Sequence, residues 1–293
     1  MGKQCILCKH KKFQIISKKV RDSSKHKVIQ CKNCKHFQLT PIPSQKEDEI
    51  FYDKNLQEKN IKYFGGINEH RNKSKEDTIR RVNFLKKFIK KKDKILEIGS
   101  GHGFFLESMT DLGYNITGIE ISKEKRKISK KITKAKILDI NLLNDDYKIQ
   151  SYDVIVMFHV LEHIVEPLQF LKKLKTILTK KGILIIEVPN VDDFQLDTNE
   201  MYKEFFWQRA HIHYFNRKRL EMLLKKVKLD VKIFGVQRYS LENMINWNIT
   251  NKPQLNLPSF SSNLKYEWLE KFYKNKLEKS FTCDTIIALA KIK

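Results

Sequence analysis

The stretch Lys94-Ile-Leu-Glu-Ile-Gly-Ser-Gly-His-Gly-Phe-Phe-Leu106 constrains this chain more than any other. An apolar run of strand length passes into Gly99, Gly101 and Gly103, and a helix-forming run follows at once. Glycine permits tight turns and lets backbone approach a ligand closely. A helix that opens there presents unpaired N–H groups and the positive end of its dipole. Such a segment belongs in an open parallel sheet, with a ligand beyond the carboxyl ends of the strands.

The surrounding pattern agrees. Strands are predicted at 94–98, 115–120, 135–138, 152–158 and 182–188. Helices are predicted at 104–112, 123–132 and 167–178, then 217–227, with further strands at 229–236 and 282–290. Alternation of this kind means an α/β fold with helices on both faces of a parallel sheet. Upstream, residues 1–45 form a small cysteine-bearing unit closed by Thr40-Pro41-Ile42-Pro43, since two close prolines resist helix and central strand. Residues 46–93 are charged and carry Ile79, Val82, Leu85, Phe88 and Ile89 at helical spacing, which reads as a linker followed by an amphipathic helix; the linker and helix are bounded at 46–80 and the main domain at 81–293. Within it, residues 240–280 hold Trp247, Trp268, Pro253 and Pro258 without a clean period and read as a partly helical insertion over the active site.

Two knuckles, Cys5-x-x-Cys8 and Cys31-x-x-Cys34, stand 22 residues apart. Four thiolates at that spacing suit a closed tetrahedral zinc site, whereas a redox role needs only one pair at a helix N-terminus. The glycine usual after each second cysteine is replaced by Lys9 and Lys35, which fit a left-handed turn less well. Met1–Val20 lacks an apolar signal core, and no apolar run reaches the roughly 18 residues of a membrane span. A cytoplasmic protein with metal rather than disulfides is expected, and Cys283 is expected in the core. The formal charge is +24, yet only nine of the 58 basic residues are arginine. Nucleic-acid readers favour arginine, and here lysine is spread over the chain alongside abundant Ile and Asn, as in an A+T-rich genome.

The GxGxG spacing, with Glu97 before it and Glu120 ending the next strand, resembles motif I of class I S-adenosylmethionine-dependent methyltransferases. The resemblance runs from about residue 80 to the C-terminus. It implies a Rossmann-like sheet in which Gly99, Ser100, Gly101 and Gly103 line the methionine half of the cofactor. Glu97 would anchor the cofactor through its amino group or through water, Glu120 would hold the ribose hydroxyls and Asp139 the adenine amino group. Phe158-His-Val-Leu-Glu-His163 matches a reversed zinc-protease string, H-x-x-E-H, but its place at a strand end resembles the hxxEH stretch of methyltransferases. Phe158 and His159 would then border the cofactor. By resemblance to ubiquinone-pathway and small-RNA ribose O-methyltransferases, Glu162 and His163 would hold a metal such as magnesium. His159 stands where those enzymes carry a carboxylate. His211 and His213, on one side of an extended segment, are alternative proton acceptors together with His163.

Together, the cysteine ribbon, Gly235-Val-Gln-Arg-Tyr239, Trp247 and Cys283-Asp284-Thr285 resemble a bacterial subfamily that pairs a zinc ribbon with a methyltransferase domain. Its members act on sugars or other small metabolites. That implies O-methylation of a sugar hydroxyl on a nucleotide-linked or surface-polysaccharide precursor, with Arg238 and Tyr239 at the substrate. An RNA methyltransferase is the alternative, although the Asn/Asp-Pro-Pro-aromatic signature of many base N-methylases is absent after the fourth strand. A binding protein without catalysis is the third class, and the intact glycine loop argues against it.

Overall fold

The structure is a computed structural model in which residues 4–44, 47, 66–143, 150–254 and 264–293 are described. Most of the linker, with Phe51-Tyr52, and Pro258 lie outside the described residues. Three short strands come first: β1 (Phe13–Ser17), β2 (Lys27–Cys31) and β3 (Phe37–Thr40). Helix α1 (Ile67–Leu85) leads into β4 (Lys94–Ile98), α2 (Phe104–Asp111), β5 (Asn115–Ile119), α3 (Lys123–Ile132), β6 (Lys136–Leu138) and β7 (Tyr152–Phe158). A 3-10 turn at Leu161–His163 precedes α4 (Pro167–Thr176) and β8 (Leu178–Pro189). Then come α5 (Gln195–Thr198), α6 (Glu200–Phe206), β9 (His213–Tyr214), α7 (Arg217–Lys226), β10 (Leu229–Val236), α8 (Leu241–Thr250), α9 (Glu267–Ser280) and β11 (Thr285–Ile292).

The large sheet has seven strands in the order β10-β11-β8-β7-β4-β5-β6, with β11 antiparallel to both neighbours. Its central strands are apolar along their length because helices cover both faces; Leu96, Ile155, Val156, Ile185 and Ile186 are wholly buried. The carboxyl ends of β4, β5 and β7 therefore open on one edge, where the glycine loop lies. Two of the sequence expectations shift. Helix α1 ends at Leu85, and Ile79 and Phe88 are exposed rather than part of its buried stripe. Polar residues face inward instead, because Arg80 and Arg81 answer the buried carboxylate of Glu187 on β8. The insertion is helical in its described parts, as α8 and α9. In these parts α9 packs on β10, and Trp247 of α8 packs with Val20 and Leu39 of the N-terminal unit.

That N-terminal unit is not a separate bead. Its strands continue into β9, giving a second sheet in the order β1-β2-β3-β9 with Gln38 opposite His213. Cys5, Ile6, Leu7 and Cys31 share a core cluster with Leu161 and Phe215. The four thiols converge: Cys5 and Cys34 sulfurs are 3.5 Å apart, as are those of Cys8 and Cys31. Zinc–sulfur bonds of about 2.3 Å imply sulfur separations of about 3.8 Å, so the cluster fits zinc. Lys9 and Lys35 both take the left-handed turn, each with φ of 61°, so lysine serves where glycine is usual. Protein purified without added metal is expected to carry one zinc per chain by elemental analysis. Cys31→Ser should lose it and lower the melting temperature of the whole molecule; a metal content untouched by Cys31→Ser would exclude this site.

Candidate active site

The glycine loop is shaped by its neighbours. Gly99 N and Ser100 N both donate to Ile119 O, at 2.8 and 3.0 Å, which folds the loop over the end of β5. Gly99, Gly101 and Gly103 all have positive φ, at 70°, 56° and 85°. A Cβ on Gly99 would lie 2.6 Å from Val160, and one on Gly103 would lie 2.1 Å from Ser129 Oγ. Gly101 differs, since nothing lies within 4 Å of its added Cβ. It opens into a cavity of about 400 Å³ whose lining includes Gly99, Gly101, Glu120, Ile140, His159 and His163. That volume is in the range of small-ligand pockets. Glu120 Oε2 accepts from Gly101 N at 2.7 Å and Oε1 accepts from Ser122 N at 2.8 Å. Each oxygen keeps a further lone pair for a ligand hydroxyl.

Other expected cofactor contacts sit one layer back. Glu97 is buried beneath the loop, and its Oε2 has no hydrogen-bond partner. Burial pushes its carboxyl up to about 8; nearby Arg81 opposes the shift and Glu120 adds to it. Ser100 is also buried, and Gly103 is pressed on Ser129 rather than lining the cavity. Phe158 is wedged between Phe105, at 5.0 Å, and the Arg81 guanidinium, at 4.6 Å. Asp139 does not line the cavity; its exposed carboxylate is paired with Arg126 at 2.5 Å. Ile140, Asn141, Leu142 and Leu143 line that end instead. The sequence signal for them is the apolar trio Ile140, Leu142 and Leu143 shortly after β6.

The opposite wall holds the histidines. His159 has a left-handed backbone, φ 55°, and lies between two carboxylates, with Nδ1 3.2 Å from Glu162 and Nε2 3.2 Å from Glu187. Burial and Arg238 act against its proton, but the two carboxylates prevail and raise its pKa. Glu187, unnoticed in the sequence, is wholly buried and bound by Arg80 and Arg81. His163 Nδ1 donates to Ala210 O at 2.7 Å, which leaves Nε2 as the basic nitrogen. The His211 ring meets it edge-on at 5.1 Å, and Glu162, His163 and His211 offer donor atoms within 4.8 Å of one another. His213 is elsewhere. It is buried in the seam with the N-terminal unit, 3.2 Å from His36, and burial takes its pKa down to about 4. The alternation argument failed because β9 turns this side chain to the small sheet. Arg238 is likewise engaged, its guanidinium held by Asp77, while Tyr239 beside it is exposed.

Residues 67–232 match the Methyltransf_23 family, described as a methyltransferase domain. This chain is a class I S-adenosylmethionine-dependent methyltransferase. The methyltransferase is 28% identical over 107 residues to a ubiquinone biosynthesis O-methyltransferase of Actinobacillus pleuropneumoniae, covering 33% of this chain and 46% of that protein. It is 33% identical over 106 residues to the protein of the same name from Pelagibacter ubique, covering 33% and 42%. It thus spans less than half the length of these curated relatives. Among solved structures, an S-adenosylmethionine-dependent methyltransferase from Archaeoglobus fulgidus aligns with a TM-score of 0.52 at 20% identity, over 81% of this chain and 99% of that one. Magnesium protoporphyrin IX methyltransferase from Synechocystis aligns at 0.56 and 10% identity, over 85% and 100%, and carries S-adenosylhomocysteine. Those two likenesses bear on the fold alone.

The open cradle at Gly101, the orphan oxygen of Glu97 and the paired oxygens of Glu120 fit the cofactor's amino acid and ribose. Glu120→Ala is expected to weaken S-adenosylmethionine by about 1.5–3 kcal/mol, the range for hydrogen bonds to a charged group, as read by calorimetry. A second expectation concerns pH. The folded pKa of Glu97, about 8, exceeds its unfolded value of 4.5, so the cofactor-free fold binds more protons between those limits. Its contribution to stability is present below pH 4.5 and lost as pH rises toward 8. Glu97→Gln should flatten that decline in denaturation measurements without cofactor; an unaltered decline would exclude Glu97 as its source.

Proposed function

We propose that this methyltransferase methylates a hydroxyl of a small acceptor, with His163 taking the hydroxyl proton. The observation that carries the reading is the place of His163: its ring lines the cavity beside the glycine loop, and its Nδ1 donates to Ala210 O, which holds the ring in that wall. The acceptor oxygen forms a bond to the sulfonium methyl as the sulfur–methyl bond breaks. The acceptor proton passes to His163 Nε2, and S-adenosylhomocysteine leaves. Alignment and exclusion of water supply much of the rate in such a displacement. Glu162, 3.9 Å from Nε2, steadies the imidazolium that results. A hydroxyl acceptor agrees with the O-methyltransferase names of the curated relatives. Within that class we favour a sugar hydroxyl on a nucleotide-linked or surface-polysaccharide precursor, from the resemblance of the whole chain to ribbon-bearing sugar methyltransferases.

A metal reading uses the same side chains. Glu162, His163 and His211 would hold the ion, and it would supply acidity to the acceptor hydroxyl. Glu162 Oε2 is buried without a partner, as a ligand oxygen would be. One carboxylate and two imidazoles suit zinc or another borderline divalent ion better than magnesium, which takes oxygen ligands. The expected magnesium is therefore not carried further.

His163→Ala should lose about 100- to 10,000-fold in turnover while keeping cofactor affinity, the usual cost of losing a general base. His213→Ala should lower stability instead. Labelled cofactor presented to sugar-nucleotide and RNA pools side by side would identify the acceptor. Transfer to RNA alone, with tight binding at physiological salt where counterion release weakens nonspecific contacts, would replace this reading with the RNA one. Turnover abolished by a mild chelator that spares the cysteine site, and restored by zinc or manganese, would favour the metal.

A further inference from the structure

Arg21 stands outside every role assigned above, yet it lies close to the histidine wall. It belongs to the N-terminal unit, between β1 and β2. Its backbone pairs with the segment before β9: Arg21 N donates to Trp207 O at 2.7 Å, and Arg209 N donates to Arg21 O at 3.1 Å. The guanidinium lies over the Phe205 ring at 4.0 Å, and Nη2 donates to Gln208 Oε1 at 2.6 Å. Nε and Nη1 are shielded without hydrogen-bond partners, and Asp22 stands 3.6 Å from Nε. A shielded guanidinium with unmade donors is costly, so its retention calls for a purpose beyond packing.

Charge settles which way the Gln208 amide faces. The two ends of an amide are alike in shape, but a guanidinium can only donate. Gln208 Oε1 therefore faces Arg21, and its Nε2 faces His211, 3.0 Å from His211 Nε2 and 3.3 Å from Nδ1. An N–H aimed at an imidazole edge needs a lone pair there. We propose that Arg21, supplied by the cysteine-bearing unit, is a positioning residue for the methyl-transfer edge, acting through Gln208 to fix the orientation and tautomer of His211. His211 in turn walls His163 edge-on. The proposal rests on the His163–His211 edge being the reacting one, but its signature does not require turnover.

The test is nitrogen-15 NMR of the whole chain with labelled histidine, with zinc supplied at one equivalent for the four thiols and no excess, at one fixed pH near 7. The His211 signals are assigned by their loss in His211→Asn. In wild type, the two ring nitrogens should resonate as the widely separated pair of one neutral tautomer. Arg21→Ala frees the amide to turn, and the pair should move toward its mean, while Arg21→Lys, which can still donate to Oε1, keeps the wild-type separation. Gln208→Ala should collapse the pair as Arg21→Ala does. It leaves the Arg21 backbone pairing intact, so it decides the matter if Arg21→Ala does not fold. A wild-type pair in Gln208→Ala would overturn the proposal. Failure of His163 as the base would appear separately, as normal turnover in His163→Ala.

Discussion

The buried carboxylate of Glu187 sets the terms for one side of this molecule. It sits on a central strand with no solvent, where an unpaired charge is untenable, and removing one partner of such a cluster costs about 3–5 kcal/mol. Burial alone would raise its pKa, but Arg81, His159 and Arg80 hold it well below the ordinary range. Arg80 and Arg81 lie on α1, so the carboxylate dictates how that helix is rolled against the sheet. Arg80 also reaches Asp77, which holds Arg238 at the end of β10. A single chain of charges thus ties α1, β8 and β10 together behind the histidine wall. His159, drawn between Glu187 and Glu162, takes a strained left-handed backbone that turns the chain into the 3-10 segment bearing His163.

The second constraint is the seam with the cysteine-bearing unit. Strand β3 pairs with β9, Leu39 N donates to Ile212 O, and Ile212 N donates to Glu162 O, so one backbone ladder runs from the small sheet to the active-site turn. The four-thiol cluster lies in the same apolar core as Leu161. A unit of this size could not hold its own fold by burial; docking adds to its small core, and a metal held by the four thiols would add more. The result is that a segment remote in sequence braces the turn that bears Glu162 and His163.

On the cofactor side, the arrangement is economical in residues. Three glycines differ in purpose although their dihedral signs agree. Gly99 and Gly103 are needed because Val160 and Ser129 occupy the space of a side chain, while Gly101 leaves room for the ligand. Glu120 braces the loop through Gly101 N and the next helix through Ser122 N, so a carboxylate that lines the cavity also fixes the backbone around it. Glu97 lies buried beneath that loop, where burial pushes its carboxyl up to about 8.

Much of this was legible in the linear chain. The strand–helix alternation, the glycine loop with Glu120, and the two cysteine knuckles each depend on local spacing, and local spacing is carried by neighbouring residues. Strands β4, β7 and β10 and helix α3 fall where the periodicity puts them. What only tertiary structure decided concerns long-range pairing. His211 and His213 are two residues apart and look equivalent, yet one meets His163 and the other His36, because β9 pairs with β3, a strand remote in sequence that places Gln38 opposite His213. Asp139 and Arg238 look available for ligands until Arg126 and Asp77 claim them. Glu187, in an otherwise apolar strand, shows its partners only when α1 is laid across it. Charge pairing across a fold has no period, so no reading of spacing along the chain could have supplied it.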